Sequence, residues 1–217
     1  MAVISINSPG DPRLEPYRNL KQTNRTRWSG EFVAEGRLVV ERLLASRLGT
    51  TSLLLSEQRR GLLDELPLSD GVEVFVVSEE TARELTGFGF HAGVLACGRR
   101  GPAVSLDAWI ADRLANTNGV NASTMLVACP QMTDPDNLGG LIRLCRAFGV
   151  AGLCLGEACC DPFSRRTLRV SMGNAFDLPI LESTNLAHDM QRLRTEYGFS
   201  LTATVLGNGA VPLHTAR

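Results

Sequence analysis

The amino-acid sequence predicts an α/β protein in two parts, a small N-terminal α/β domain followed by a doubly wound parallel sheet. Three observations support this. In the second half, apolar runs of strand length alternate with helical stretches of ten or more residues, which imposes parallel pairing and right-handed crossovers. A polar, turn-rich segment, Asn116-Thr-Asn-Gly-Val-Asn-Ala-Ser123, divides the chain. The composition, 44% hydrophobic and 21% charged over 217 residues, is an ordinary globular balance with material for two modest cores. The expected division is 1–115 for the first domain, 116–123 for the linker and 124–217 for the second.

In the first thirty residues Arg13, Arg18, Lys21, Arg25 and Arg27 surround Tyr17 and Trp28. Basic side chains interleaved with aromatics can grip single-stranded RNA by phosphate contact and stacking. The other reading of this arm is a solvated helix whose Leu14, Tyr17, Leu20 and Trp28 pack on the body. Beyond it, Val39, Val40, Leu43, Leu44 and Arg47 recur at helical spacing before Gly49. Thr51–Leu55 reads as a buried strand, Glu57–Leu66 as a helix ended by Pro67, and Val72–Val77 as a strand. Ser78 caps a short helix, Gly93–Cys97 is another strand, and a helix near Ser105–Leu114 leads into the linker.

In the second half the strands are Thr124–Cys129, Val150–Leu155, Leu178–Leu181 and Phe199–Leu206. Helices are expected from about Leu138 to Phe148, over Pro162–Val170 and over Asn185–Tyr197. In such a sheet a ligand site lies beyond the carboxyl ends of the strands. The richest segment there is TMLVACPQMTDPDNLGGLIRLCRAFG, in which a strand ends at Pro130 and Asp134-Pro135-Asp136-Asn137 forms a turn. Either Asp136 or Asn137 can cap the helix that follows. Leu138, Leu141, Ile142, Cys145 and Phe148 form its packing face, and Arg143 and Arg146 lie outside that stripe. Gly139 and Gly140 leave the helix start bare enough for a phosphate or ribose to approach the backbone. The spacing differs from GxGxxG and from GxxxxGK[ST], which argues against a dinucleotide fold or a P-loop.

Bulk charge narrows the partners. A net charge of −1 excludes a nucleic-acid binder that works by overall basicity. Lys21 is the single lysine among 22 basic residues, and arginine suits bidentate phosphate contacts, although a codon bias gives the same count. None of the six cysteines forms a CxxC pair, so no metal is expected. No apolar run of membrane-spanning length and no secretory start appear, which makes a cytoplasmic protein with no membrane partner the expectation.

The segment Asn137-Leu138-Gly139, Arg143 and Phe148-Gly149 resembles the first signature of the SpoU (TrmH-like) family of the SPOUT superfamily. The stretch Arg169-Val170-Ser171-Met172-Gly173 with Leu178-Pro179 is similar to that family's next one, and Phe32–Val40 resembles the opening of members with a ribosomal-protein-like RNA-binding domain. The resemblance implies an RNA (rRNA or tRNA) 2′-O-ribose methyltransferase using S-adenosylmethionine, a homodimer when complete, with structured RNA as partner. It assigns Asn137 and Arg143 to the reacting hydroxyl. A guanidinium is a poor proton acceptor, so Arg143 is equally read as a phosphate clamp and oxyanion stabiliser. Arg169 and Ser171 become candidates for RNA phosphate, and Thr204 for the donor. Arg217 falls where the family's donor-binding signatures begin, so the expected second domain is a SPOUT-type sheet stopping before its C-terminal knot. A non-catalytic RNA-binding protein without a donor site is the alternative.

Overall fold

The computed structural model describes residues 3–20, 29–115, 124–205, 207, 210–212 and 215. Strands β1 (Val3–Ser5), β2 (Glu31–Glu35), β3 (Thr50–Ser56), β4 (Glu73–Val77) and β5 (Val94–Arg99) form a sheet in the order β1-β4-β3-β5-β2. Pairing is parallel on either side of β4 and antiparallel on either side of β5.

Period-two alternation divides this sheet between two cores. Leu54, Phe75, Leu95 and Cys97 face a cluster that includes Leu14 and Tyr17, while Leu53, Leu55, Val74 and Val76 face the opposite side. Both faces are covered, which is why these strands read as continuous apolar runs rather than alternating ones. The helices are α1 (Arg37–Ala45) and α2 (Glu79–Thr86); Ser78 caps α2 through the Thr81 amide at 3.1 Å.

In this half one expectation is corrected and one open choice is closed. Glu57–Asp64 is a 3₁₀ helix rather than an α-helix; with Gly61 inside it and Leu62 its only buried residue, nothing draws it into a longer helix. Of the two readings of the N-terminal segment, residues 3–20 follow the one that packs on the body and not the free RNA-gripping arm. β1 pairs with β4, and a 3₁₀ helix over Pro12–Tyr17 buries Leu14 and Tyr17 completely. The Tyr17 hydroxyl meets Ser52 Oγ at 2.8 Å inside the core, so this ring cannot stack on a base.

The second sheet is parallel, in the order β6 (Leu126–Cys129), β7 (Gly152–Leu155), β8 (Ile180–Glu182). Helix α4 (Pro135–Ala147) crosses from β6 to β7. Helix α5 (Arg165–Val170) and a 3₁₀ turn over Asn174–Phe176 cross from β7 to β8. Leu153 and Leu155 pack toward α4 and α5, while Cys154 packs toward α3 (Leu106–Ala115) and α6 (Leu186–Thr195). Helices on both faces make this a doubly wound α/β sheet. Although it precedes the polar linker, α3 belongs to the packing of this sheet: a Cβ on Gly152 would lie 2.2 Å from Trp109 Cζ2. The strand expected at Phe199–Leu206 is absent from the described part, 199–205, where Phe199 packs partly buried beside Trp109 and Leu193 and 200–205 is exposed irregular chain. A single strand gains its stability only from a ladder, and 199–205 has joined none.

The sheets are joined by one continuous apolar cluster running from Phe32, Val40 and Leu43 to Leu138, Ile142, Leu153 and Leu168. Phe32 sits between Phe163 and Phe176, with ring centroids 5.0 and 5.6 Å away. Arg100, at the end of β5, reaches across to Asp161 at 3.0 Å and to Glu182, and lies 4.9 Å over the Phe163 ring. A cavity of about 530 Å³ opens beside this contact, lined by Leu48, Arg100, Val104, Phe176, Ile180 and Glu182 among others.

Candidate RNA-facing site on helices α4 and α5

Helix α4 begins at Pro135, whose fixed φ suits the first helical position. Its cap is Asp134, whose Oδ1 accepts from the Asp136 amide at 2.8 Å. The cap therefore lies two residues before Asp136 and three before Asn137, and both of those side chains are released for other uses.

The two glycines differ. A Cβ on Gly139 would come within 2.7 Å of Val170 Cβ and 3.0 Å of the Ser171 amide nitrogen, whereas Gly140 faces open space. Gly139 thus lets α4 press against the end of α5, and only Gly140 leaves the backbone bare toward solvent.

Asn137 and Arg143 are both exposed. Six residues apart on an α-helix, they point roughly 120° from one another and occupy different flanks. Arg143 shares its flank with Asp136 and Gly140, the side on which α5 lies, because Asp136 is gripped there by Arg166 with Nε 2.6 Å from Oδ1. That guanidinium lowers the Asp136 carboxyl pKa. Arg166 is 60% exposed and Arg169, 56% exposed, is 4.0 Å from Glu35 of β2. Arg165 pairs more closely with the same Glu35 and covers the Phe88 ring at 4.2 Å. Asn137 instead heads a flank with Leu141, Leu144 and Phe148; the last two are 56% and 75% exposed.

Of the other candidates, Ser171 is fully buried; its hydroxyl donates to the Leu168 carbonyl at 3.1 Å, closing the last turn of α5. It is a structural cap and not an RNA contact, because no phosphate can reach it. Arg13 is held by Asp11 at 2.7 Å, which lowers the Asp11 carboxyl to about 2, and Arg18 by Glu15 at 2.8 Å. Lys21, Arg25 and Arg27 lie outside the described residues. Thr204 is exposed in irregular chain, not at a strand end.

Sequence reasoning missed Glu35, Arg42, Arg100 and Arg166. Each acts through a partner between 30 and 130 residues away. No local spacing encodes such pairs.

Fold and site together define a doubly wound α/β protein with a glycine-bearing helix and clustered arginines beyond the first strand of its second sheet. Residues 124–216 match the SpoU rRNA Methylase family. An uncharacterized tRNA/rRNA methyltransferase of Mycobacterium bovis is 31% identical over 99% of this chain and 72% of its own length. An AdoMet-bound rRNA methyltransferase from Sinorhizobium meliloti superimposes with a TM-score of 0.70 at 24% identity, over 89% of this chain and 69% of that one. The SpoU methyltransferase AviRb from Streptomyces viridochromogenes, in complex with AdoMet, does so with 0.66 at 22%, over 86% and 68%. The chain belongs to the SpoU family of S-adenosylmethionine-dependent RNA methyltransferases.

The donor cradle is a separate matter. Thr204, the candidate for the donor, stands in exposed chain without a neighbouring strand.

Proposed function

We propose that this chain carries the RNA-facing half of a 2′-O-ribose methyltransferase, acting on structured rRNA or tRNA with S-adenosylmethionine as donor. The observation that carries the reading is the exposed Arg143, standing on the α5 side of α4 with Arg166 and Arg169 on the neighbouring helix. The exposed guanidiniums of Arg143 and Arg169 suit phosphates, since each offers a planar fork of donors, while Arg166 is held by Asp136. Gly140 leaves room for the sugar-phosphate backbone to approach.

Arg143 binds the phosphate next to the target ribose and stabilises the negative charge that grows on its 2′-oxygen as the proton leaves. Asn137, on the other flank, orients the loop between β6 and α4. The first sheet, whose last strand ends at Arg99, serves as the RNA substrate-binding part, with Lys21, Arg25 and Arg27 as further phosphate contacts. The apolar flank of α4, with Leu144 and Phe148 exposed, supplies a subunit contact in a homodimer. No helix among the described residues is long and apolar enough to cross a membrane, which accords with a cytoplasmic place of action.

The test is binding of a structured rRNA fragment at several salt concentrations. Arg143→Ala should weaken binding roughly tenfold and lower the salt slope by about one, as loss of one phosphate contact does. Arg143→Lys should restore the slope but not the full affinity. Wild-type affinity in both variants would remove Arg143 from the site. The exposed, strandless Thr204 favours one second reading, a protein that binds RNA without donor. Calorimetric titration with S-adenosylmethionine decides between them, heat of binding excluding the second.

A further inference from the structure

The turn after α5 has an unusual backbone. Met172 has φ of 55° and Gly173 of 77°. A left-handed conformation is ordinary for glycine but disfavoured for methionine, and it persists only where the surroundings over-determine it. Much of the turn closes on itself. The Met172 amide donates to the Arg169 carbonyl at 3.0 Å, Gly173 to Leu168 at 2.9 Å and Asn174 to Ser171 at 3.1 Å. Asn174 Nδ2 adds a second bond to Ser171 O at 2.7 Å.

The Met172 carbonyl is held from elsewhere. It accepts from Arg42 Nη1 at 2.7 Å, and Arg42 belongs to α1 of the first sheet. The stem of the same arginine lies against Gly173, where a Cβ would sit 3.2 Å from Arg42 Cδ. Gly173 is therefore required twice, by its φ and by the approach of Arg42. On its other side the turn abuts α4 through the contact of Ser171 and Val170 with Gly139. Arg169 leaves the chain three residues before Met172. A packed path thus runs from α1 through the turn to the helix that carries Asn137 and Arg143.

We propose that Arg42 is a positioning residue for this turn. By holding the Met172 carbonyl, it keeps Met172 left-handed and so fixes the end of α5 that carries Arg169 and abuts α4 at Gly139. The first sheet then does more than bind substrate: it sets the geometry of the second sheet's basic groove. The consequence for RNA rests on the functional reading above; the hold on the turn does not.

The experiment has two arms, both on the chain as it stands. In the first, amide hydrogen exchange is compared among wild type, Arg42→Met, which keeps the stem over Gly173 without the donor, and Arg42→Lys, which returns a charged donor. Exchange at the Gly173 and Asn174 amides should rise roughly tenfold in Arg42→Met and fall back toward wild type in Arg42→Lys, with β3 and β4 amides unchanged. Unchanged exchange at Gly173 in Arg42→Met overturns the inference. Should Arg42→Met loosen β3 and β4 as well, Arg42→Lys decides: wild-type protection or loosening confined to the turn supports the inference, and loosening of β3 and β4 in this variant too overturns it.

The second arm is a double-mutant cycle of Arg42→Met with Arg169→Ala, read as affinity for a structured rRNA fragment. An arginine that acts through the turn gives non-additive losses. Additive losses with a smaller salt slope would instead make Arg42 a direct phosphate contact and overturn its positioning role. If the wild-type chain binds no structured RNA, the functional reading fails, and the exchange arm alone decides the inference.

Discussion

The five-stranded sheet covers one face with its own neighbours in sequence, Tyr17, Ala82 and Leu85, and shares the other with the second sheet. The three-stranded sheet is shorter and depends on that shared face: Leu138, Ile142 and Leu168 join a cluster with Phe32, Val40 and Leu43. Its own second core is small, centred on Trp109, Cys154 and Leu193. The comparison teaches that the candidate site sits on the less self-sufficient half and borrows rigidity from the other. Apolar burial holds the halves together, and polar links at Arg100, Arg165 and Arg42 cross between them.

The sharpest way to break that dependence is Arg100→Ala. It leaves Asp161, 3% exposed, and Glu182 without their guanidinium, which should cost about 3 kcal/mol by denaturant titration. Separate transitions for the two sheets should follow, seen as non-coincident fluorescence and circular-dichroism curves. Coincident transitions at wild-type midpoint would show that Arg100 does not couple them.

A smaller loss tests the second sheet's private core. Gly152→Ala pushes a Cβ into Trp109 and should destabilise by about 2 kcal/mol, with a shifted tryptophan emission reporting the displaced ring.

Alkali probes both halves at once. Burial pushes the Cys97 thiol in the first sheet up from 9.0 to about 11. Burial, with Cys159 beside it, does the same to Cys129 in the second. Because the unfolded chain ionises first, these groups leave stability intact below about pH 9 and withdraw it as pH rises toward about 11. Unfolding midpoints at pH 8 and pH 10.5 should differ, and Cys97→Ala or Cys129→Ala should each reduce the difference. An unchanged difference in both variants would acquit the thiols.

The least effect on folding is expected at the exposed flank of α4. Leu144→Ser with Phe148→Ser should alter stability by no more than about 0.5 kcal/mol, while sedimentation shows any self-association reduced. A large loss of stability would mean that this flank is packed rather than open.

Much of the fold was legible because β3, β4, β5 and β7 are apolar runs bounded by turns, and α4 carries its apolar stripe at helical spacing. Two short strands were missed for a physical reason. Val3–Ser5 and Glu31–Glu35 are too short and too mixed to announce themselves, and they become strands by adding to sheet edges. Phe199–Leu206 erred in the other direction: its pattern suits a strand, but a strand needs a ladder. In the site, Arg143 and Asn137 were singled out by the family resemblance, and both are exposed. That Ser171 points inward was not, because whether a hydroxyl meets solvent or its own helix depends on the packing of α4 against α5.

By itself the sequence determined the alternation of the longer strands and helices, the glycine pair at the start of α4, and the run of arginines after Pro162. These are local matters, decided by period, volume and backbone freedom within a few residues. Only the tertiary structure decided which arginines are available. Arg143 is open, whereas Arg165 is spent on Glu35, Arg100 on Asp161 and Glu182, and Arg42 on a backbone carbonyl. A guanidinium's role is set by whichever acceptor the fold brings within about 3 Å, and that distance is a property of the folded chain.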